Sequence, residues 1–66
     1  MITTAAGPIR KGSVVLVNTR DGLTTTGTVD SVDEDIKNDR PGLDYIAADG
    51  TGRWAYADQV ARVVTF

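Results

Sequence analysis

The sequence predicts an all-β fold of five short strands that close a small barrel, with one 3-10 turn before the last strand. Threonine, valine and glycine are abundant, and no window places apolar residues at helical spacing for more than two turns. Short runs of β-forming residues alternate instead with clusters of glycine, aspartate and asparagine, which are typical of turns. We therefore expect strands joined by tight connections rather than helices.

The size of the chain limits how it can be stabilised. With 66 residues it is one domain by length, and such a domain removes only about 60% of its unfolded surface from water. It has no cysteine or histidine, so disulfides and histidine- or cysteine-based zinc sites are excluded. Tight β-packing, or association with another chain, has to hold the fold together.

The amino-terminal segment predicts a flexible arm over residues 1–10, followed by the barrel domain over residues 11–66. Residues 1–8 contain no basic stretch and no long apolar run, so we expect neither a signal peptide nor a membrane span. A cytoplasmic location follows as the expectation. The net charge of -2 and the pI near 4.7 disfavour nucleic acid as a partner without excluding it.

The predicted strands follow from the turn residues around them. The first covers residues 14–17 and the second residues 24–32, where Gly27 marks the bend of a barrel strand. The charged residues 33–42 predict an exposed loop that ends on Pro41-Gly42. Strands three and four form a hairpin about the Asp49-Gly50 turn; the remaining predicted ranges are 43–48, 53–56, a 3-10 turn at 57–59, and 61–66.

The first strand has two apolar faces. Val15 and Val17 share one face and Val14 and Leu16 the other, yet a small barrel has a single interior. If Val14 and Leu16 lie outside, they form a contact surface for a homo-oligomer. The alternative is that the amino-terminal arm folds back over them.

The order of these features resembles the small SH3-like barrels. The matching elements are residues 11–17, Gly27-Thr28-Val29, the Asp49-Gly50 turn, the pair Trp54 and Tyr56, and residues 58–63. That group includes KOW and Tudor-type modules, a photosystem accessory subunit and plasmid-encoded type II dihydrofolate reductase. The resemblance implies a shape from Lys11 onward and no single activity, because unrelated functions share this shape.

Trp54 and Tyr56 are the strongest candidate for a binding surface. They lie two residues apart on one strand and so project from the same face. In SH3-like modules an aromatic pair near this strand often lines the ligand groove, and Tyr45 on the neighbouring strand would extend it, with Arg53 or Arg40 at the rim. The alternative is that both rings fill the core, since the domain has only four aromatic residues.

The acidic residues Asp30, Asp33, Glu34 and Asp35 form the second candidate. Clustered carboxylates attract a basic partner or a hard cation, but the spacing does not fit a calcium loop. A solvated loop is the favoured interpretation. We expect no metal site and no cofactor.

Catalysis has few candidate groups. Without histidine or cysteine, a general base has to be a carboxylate or a lysine. In type II dihydrofolate reductase four barrels form a pore, and the stretch before the helical turn contains valine, glutamine, isoleucine and tyrosine. Here that stretch is Arg53-Trp54-Ala55-Tyr56, so only the tyrosine matches, and neither Lys11 nor Lys37 lies where that family has its pore lysine.

The leading hypothesis is a non-enzymatic binding or adaptor module whose aromatic surface on the fourth strand takes a protein or peptide partner. The size also fits an accessory protein of a phage, plasmid or other mobile element. A self-associating structural barrel is the second hypothesis. An oligomeric enzyme with its site at a symmetry axis and a nucleic-acid-binding module are the remaining alternatives.

Overall fold

The computed structural model describes residues 1–66 and confirms the all-β class. A 3-10 turn at Ala57–Gln59 precedes the last strand, as predicted. No helix is long and apolar enough to cross a lipid bilayer. The seven strands are β1 Ile2–Thr4, β2 Gly7–Ile9, β3 Val14–Asn18, β4 Thr24–Lys37, β5 Arg40–Ala47, β6 Gly52–Tyr56 and β7 Val60–Thr65.

The strands form two antiparallel sheets. Strands β1 and β2 pair as a hairpin, and the other five form a sheet of order β6-β5-β4-β3-β7. This sheet is open, because β6 and β7 are its two edges and no ladder joins them. A closed five-stranded barrel, the sequence expectation, is therefore not observed. The 3-10 turn carries the chain away from β6, and β7 pairs with β3 at the other side of the sheet.

The charged segment 33–42, predicted as an exposed loop, is mostly strand. Strand β4 continues to Lys37 and β5 begins at Arg40, so the segment is the far end of a long hairpin. The turn residues Asn38 and Asp39 have φ angles of 56° and 57°, which asparagine and aspartate tolerate and a tight hairpin turn requires. The prediction of a loop was wrong because Ile36 is the one large aliphatic residue in this segment, which leaves no apolar alternation of a half-buried strand.

Residues 1–10, expected as an arm outside the domain, contain the β1–β2 hairpin instead. Ile2 lies opposite Ile9, and both side chains are buried in the core. Full burial of an isoleucine side chain stabilises a fold by roughly 1.5–3 kcal/mol, which favours docking of this short segment. The first ten residues therefore pack on the five-stranded sheet through Ile2 and Ile9.

The core lies on the inner face of the five-stranded sheet. Val15 and Val17 point inward, while Val14 and Leu16 are half-buried on the outer face, opposite Thr28 and Thr26. The amino-terminal hairpin folds back, but its isoleucines join the inner cluster rather than the outer face. The core cluster comprises Ile2, Ile9, Val15, Val17, Val29, Leu43, Tyr45, Ala47, Ala55, Ala57 and Val60.

Gly42 allows the far end of the β4–β5 hairpin to bend toward β6. A Cβ atom at Gly42 would collide with Cγ2 of Ile36 and with the carbonyl oxygen of Ala55 in β6. Only glycine leaves room for Ile36 at this position. This bend brings Lys37 and Asn38 at the hairpin turn next to the aromatic side chains of β6.

Candidate functional site: an aromatic groove beside β6

Strand β6 turns its two aromatic rings outward. Ala55 is 2% exposed and points into the core, so Trp54 and Tyr56 project from the opposite face. Trp54 is 42% exposed and Tyr56 is half-buried, which places the pair at the surface rather than in the core. The ring centroids are 5.1 Å apart in an edge-to-face arrangement, a preferred geometry for aromatic pairs.

Residues of the hairpin turn hold the two rings in place. The Lys37 ammonium lies 5.5 Å from the Trp54 ring centroid, and the Asn38 side-chain amide donates a hydrogen bond of 3.0 Å to the Tyr56 hydroxyl. The Arg40 guanidinium lies 3.7 Å from the Tyr56 ring centroid and forms an ion pair with Asp58. Such contacts at exposed sites are each worth up to about 1 kcal/mol, so they orient the rings more than they stabilise the fold.

An open groove of about 560 Å³ runs beside β6. One wall consists of β6 and the other of the end of β3 with the residues after it. Gln59 of the 3-10 turn connects the walls, because its side chain accepts a hydrogen bond of 2.9 Å from the Tyr56 N–H and donates one of 3.2 Å to the Asn18 carbonyl. The lining residues are Val17, Asn18, Thr19, Arg20, Arg40, Tyr45, Arg53, Trp54, Ala55, Tyr56, Asp58 and Gln59.

All five residues predicted to bind a ligand, Trp54, Tyr56, Tyr45, Arg53 and Arg40, line this one groove. Tyr45 has a different place from the one expected, because it is 3% exposed and its ring lies in the core. Its hydroxyl group has no hydrogen-bond partner in the chain, yet no buried polar side-chain atom is left unpaired. The Tyr45 hydroxyl therefore reaches solvent and offers the groove a hydrogen-bonding group rather than a ring face.

Four further residues of the site have no motif in the local sequence that marks them. Arg20 and Lys37 lie in or beside turns, and Asp58 and Gln59 lie in the 3-10 turn. Exposed polar residues at such positions are ordinary in loops, and only the tertiary fold brings them next to Trp54. The capping spacing of Tyr56 and Gln59 is the one local feature that could have indicated a role for Gln59.

The groove is locally basic although the protein carries a net charge of -2. Arg20, Arg40 and Arg53 line it against a single carboxylate, Asp58, and Lys37 lies over the Trp54 ring. These are four of the seven basic residues in the chain. Arg40 is paired with Asp58, whereas Arg20 and Lys37 make no ion pair, and unpaired cations of this kind favour an anionic group at the groove.

Two aspartates near Arg53 have shifted pKa values. The Thr51 hydroxyl and N–H donate hydrogen bonds to Asp49 and lower the pKa of its carboxyl below the ordinary 3.8, with Arg53 as a smaller cause. A hydrogen bond from the Thr19 hydroxyl likewise lowers the pKa of Asp21. Both carboxyls favour the ionised form, which suits turn structure rather than proton donation.

Carboxylates of the acidic run accept backbone hydrogen bonds within the hairpin end. Asp33 accepts a hydrogen bond from the Asp35 N–H, and Asp35 accepts one from the Asp39 N–H, so these carboxylates support the backbone of the hairpin end. No group of three or more histidine, cysteine, aspartate or glutamate residues is placed to hold a metal ion.

Comparison of the chain with protein-family models, with curated proteins and with solved structures finds no match. What the protein can bind is therefore inferred from its own side chains.

Proposed function

We propose that the chain is a non-enzymatic binding module of SH3-like architecture, and that a protein or peptide partner occupies the groove beside β6. The observation that carries this proposal is the half-exposed Trp54, packed edge-to-face on Tyr56 in the wall of a groove. Tryptophan, tyrosine and arginine are the residues that contribute most to protein interfaces, and all three occur here.

The strand order supports the SH3-like part of the proposal. Strands β3 to β6 follow one another as an antiparallel meander, and β7 returns to pair with β3 after the 3-10 turn. The groove lies between the open edge of β6 and the end of β3, next to the 3-10 turn. A cytoplasmic location, a role in a mobile element and self-association through Val14 and Leu16 stay predictions from the sequence.

The organisation of the site favours a peptide. A hydrogen bond and a cation–π contact orient the Tyr56 ring, and Trp54 packs between Tyr56 and the Lys37 ammonium, so less side-chain freedom is lost when a partner packs on them. The groove is open to solvent rather than enclosed as a pocket. Both of its walls contribute polar groups. An extended segment can contact the rings, the Tyr45 hydroxyl and the arginines at once.

The test is a random peptide library selected on the immobilised protein, followed by titration of the enriched peptides. We expect Trp54→Ala to weaken binding at least about tenfold, the scale of an interface hot spot. Ile46→Ala is the matched control, because Ile46 is 44% exposed and lies outside the groove. Circular dichroism verifies that both variants fold. Failure to enrich any peptide, or equal affinity of a folded Trp54→Ala variant, would contradict the proposal.

A further inference from the structure

We infer that the partner segment is acidic and binds as an added β-strand along the open edge of β6. This inference rests on the proposed function and adds to it the chemistry of the partner and the way its backbone is held. Three observations carry it: the direction of the β6 backbone groups, the regularity of this edge, and the distribution of charge around it.

The hydrogen-bond register shows which backbone groups of β6 are unused. The Ala47 N–H donates to the Thr51 carbonyl at 2.8 Å, which fixes the alternation of the β5–β6 ladder. Arg53 and Ala55 then direct their N–H and C=O groups toward β5, while Gly52 and Trp54 direct theirs toward the open edge. Tyr56 fits the same alternation, because its N–H also points to the open edge and donates a hydrogen bond to the Gln59 side chain.

The β6 edge lacks two of the features that protect sheet edges from pairing, proline and a β-bulge. It contains no proline, and its register runs without a shift from the Tyr56–Gly42 pair to the Gly52–Ile46 pair. The other edge strand, β7, pairs with β3 through two register shifts. A regular edge with outward N–H and C=O groups is a template for one more strand, and here the groove provides space beside it.

Charge identifies the kind of strand that fits. Arg20 makes no ion pair, and Arg53 has only Asp49 at 3.6 Å. Side chains of an added strand alternate between the groove side, where they meet these two arginines, and the outer face, where they meet Lys37. Asp44, which lies opposite Trp54, has a carboxylate that accepts from Ser31 of β4, on the side away from the edge.

The same charges disfavour a second copy of this chain as the occupant. Two β6 edges paired with each other would bring two sets of Arg20, Arg53 and Lys37 together, and like charges across an interface are repulsive. A basic peptide is disfavoured for the same reason. An acidic extended segment neutralises the cations and satisfies the backbone at the same time.

The first experiment tests the strand addition. The probe is a fluorescein-labelled peptide of about eight residues that alternates glutamate and valine, titrated by fluorescence anisotropy. Gly52→Pro removes an outward N–H that no other strand uses, and Gly52→Ala is the matched control, because a Cβ at this position meets no atom within 4 Å. We expect Gly52→Pro to weaken binding at least about tenfold and Gly52→Ala to stay within about twofold of the unmodified chain.

A probe methylated on alternate backbone nitrogens gives the same information with the unmodified protein. We expect one of the two methylated registers to lose binding at least about tenfold, because a methylated nitrogen cannot donate to β6. Because this experiment uses the unmodified protein, its result does not depend on whether the Gly52→Pro variant folds. Equal binding of both registers and of the unmethylated probe would overturn the strand addition.

The second experiment tests the charge. Arg20→Glu should weaken binding of the acidic probe about fivefold or more, while the same change at the exposed Lys11, outside the groove, should have less than about a twofold effect. A lysine–valine probe should bind more weakly than the acidic one, and oligothymidylate of similar length should not bind more tightly. Equal effects of the two charge reversals, tighter binding of the basic probe, or tighter binding of oligothymidylate would overturn the inference.

These results also separate the inference from the proposed function. If library peptides depend on Trp54 but not on Gly52 or Arg20, the groove binds peptides in another way and only the inference fails. If neither the library peptides nor the acidic probe binds, both fail.

Discussion

The ring of Tyr45 occupies the space that a side chain at Gly27 would need. A Cβ atom at Gly27 would lie 2.5 Å from Cδ2 and 3.1 Å from Cγ of Tyr45. The absence of a side chain on β4 thus lets the tyrosine lie flat in the core and carry its hydroxyl group to the groove. A residue outside the groove lining thereby determines one of the polar groups of the groove.

Gly27→Ala should lower the free energy of unfolding by about 2 kcal/mol, because the buried ring has little room to move away. Urea unfolding followed by circular dichroism measures it. Gly52→Ala is the control, since a methyl group there meets open space and alanine is favoured over glycine in a strand by roughly 0.5–1 kcal/mol. Equal unfolding midpoints for the two variants would show that the Tyr45 ring can move aside and that the contact with a Cβ at position 27 does not destabilise the fold.

Ile9→Ala should destabilise the protein by about 2–4 kcal/mol, the usual cost of a cavity at a fully buried isoleucine. The amino-terminal hairpin would then be part of the cooperative fold. Ile46→Ala removes the same atoms from a side chain that is 44% exposed, and we expect a loss below about 1 kcal/mol. If Ile9→Ala unfolds at the same urea concentration as Ile46→Ala, residues 1–10 contribute nothing and the original expectation of an arm is restored.

Thr51→Val should raise the pKa of Asp49 toward the ordinary 3.8, because it removes the hydroxyl that donates to the carboxylate. Carboxyl chemical shifts followed against pH measure this value. The pKa of Asp21 is the internal control, since Thr19 and not Thr51 is the main cause of its lowering. An unchanged pKa of Asp49 in the variant would contradict the assignment of the Thr51 hydroxyl as the main cause.

The same hydrogen bonds make stability depend on pH in a defined direction. A carboxyl with a lowered pKa in the folded state stabilises that state above its unfolded value of about 3.8, and this contribution disappears as pH falls through the folded value. The difference in stability between the unmodified chain and Thr51→Val should therefore be present at neutral pH and shrink below pH 3.8. If this difference in stability instead grew as the pH fell, the pH dependence would have the opposite sign and the lowered pKa of Asp49 could not be its cause.

Local features of the sequence were sufficient for much of the fold. The turn residues at 49–52 predicted the β5–β6 hairpin, and the period-two pattern separated Val15 and Val17 from Val14 and Leu16. The 3-10 turn followed from a segment too short for an α-helix. The far end of the β4–β5 hairpin was missed, since a single large aliphatic residue, Ile36, gives no apolar period.

The binding surface was predictable only in part. The spacing of Trp54 and Tyr56 placed them on one face, but Ala55 in the core decided that this face is outside. Tyr45, expected on the same platform, lies in the core because Gly27 leaves room for its ring. Arg20 and Lys37 could not be identified, because their proximity to Trp54 depends on contacts between residues distant in the chain.

The sequence by itself determined the all-β class, the positions of the tightest turns and which residues of β3 share a face, because turn geometry and strand alternation depend on residues close in the chain. Only the tertiary structure decided that the sheet stays open, that Ile2 and Ile9 are buried and that three arginines line one groove with the aromatic pair. Those outcomes depend on which edges and side chains from distant segments meet, and on the space that Gly27 and Gly42 leave for them.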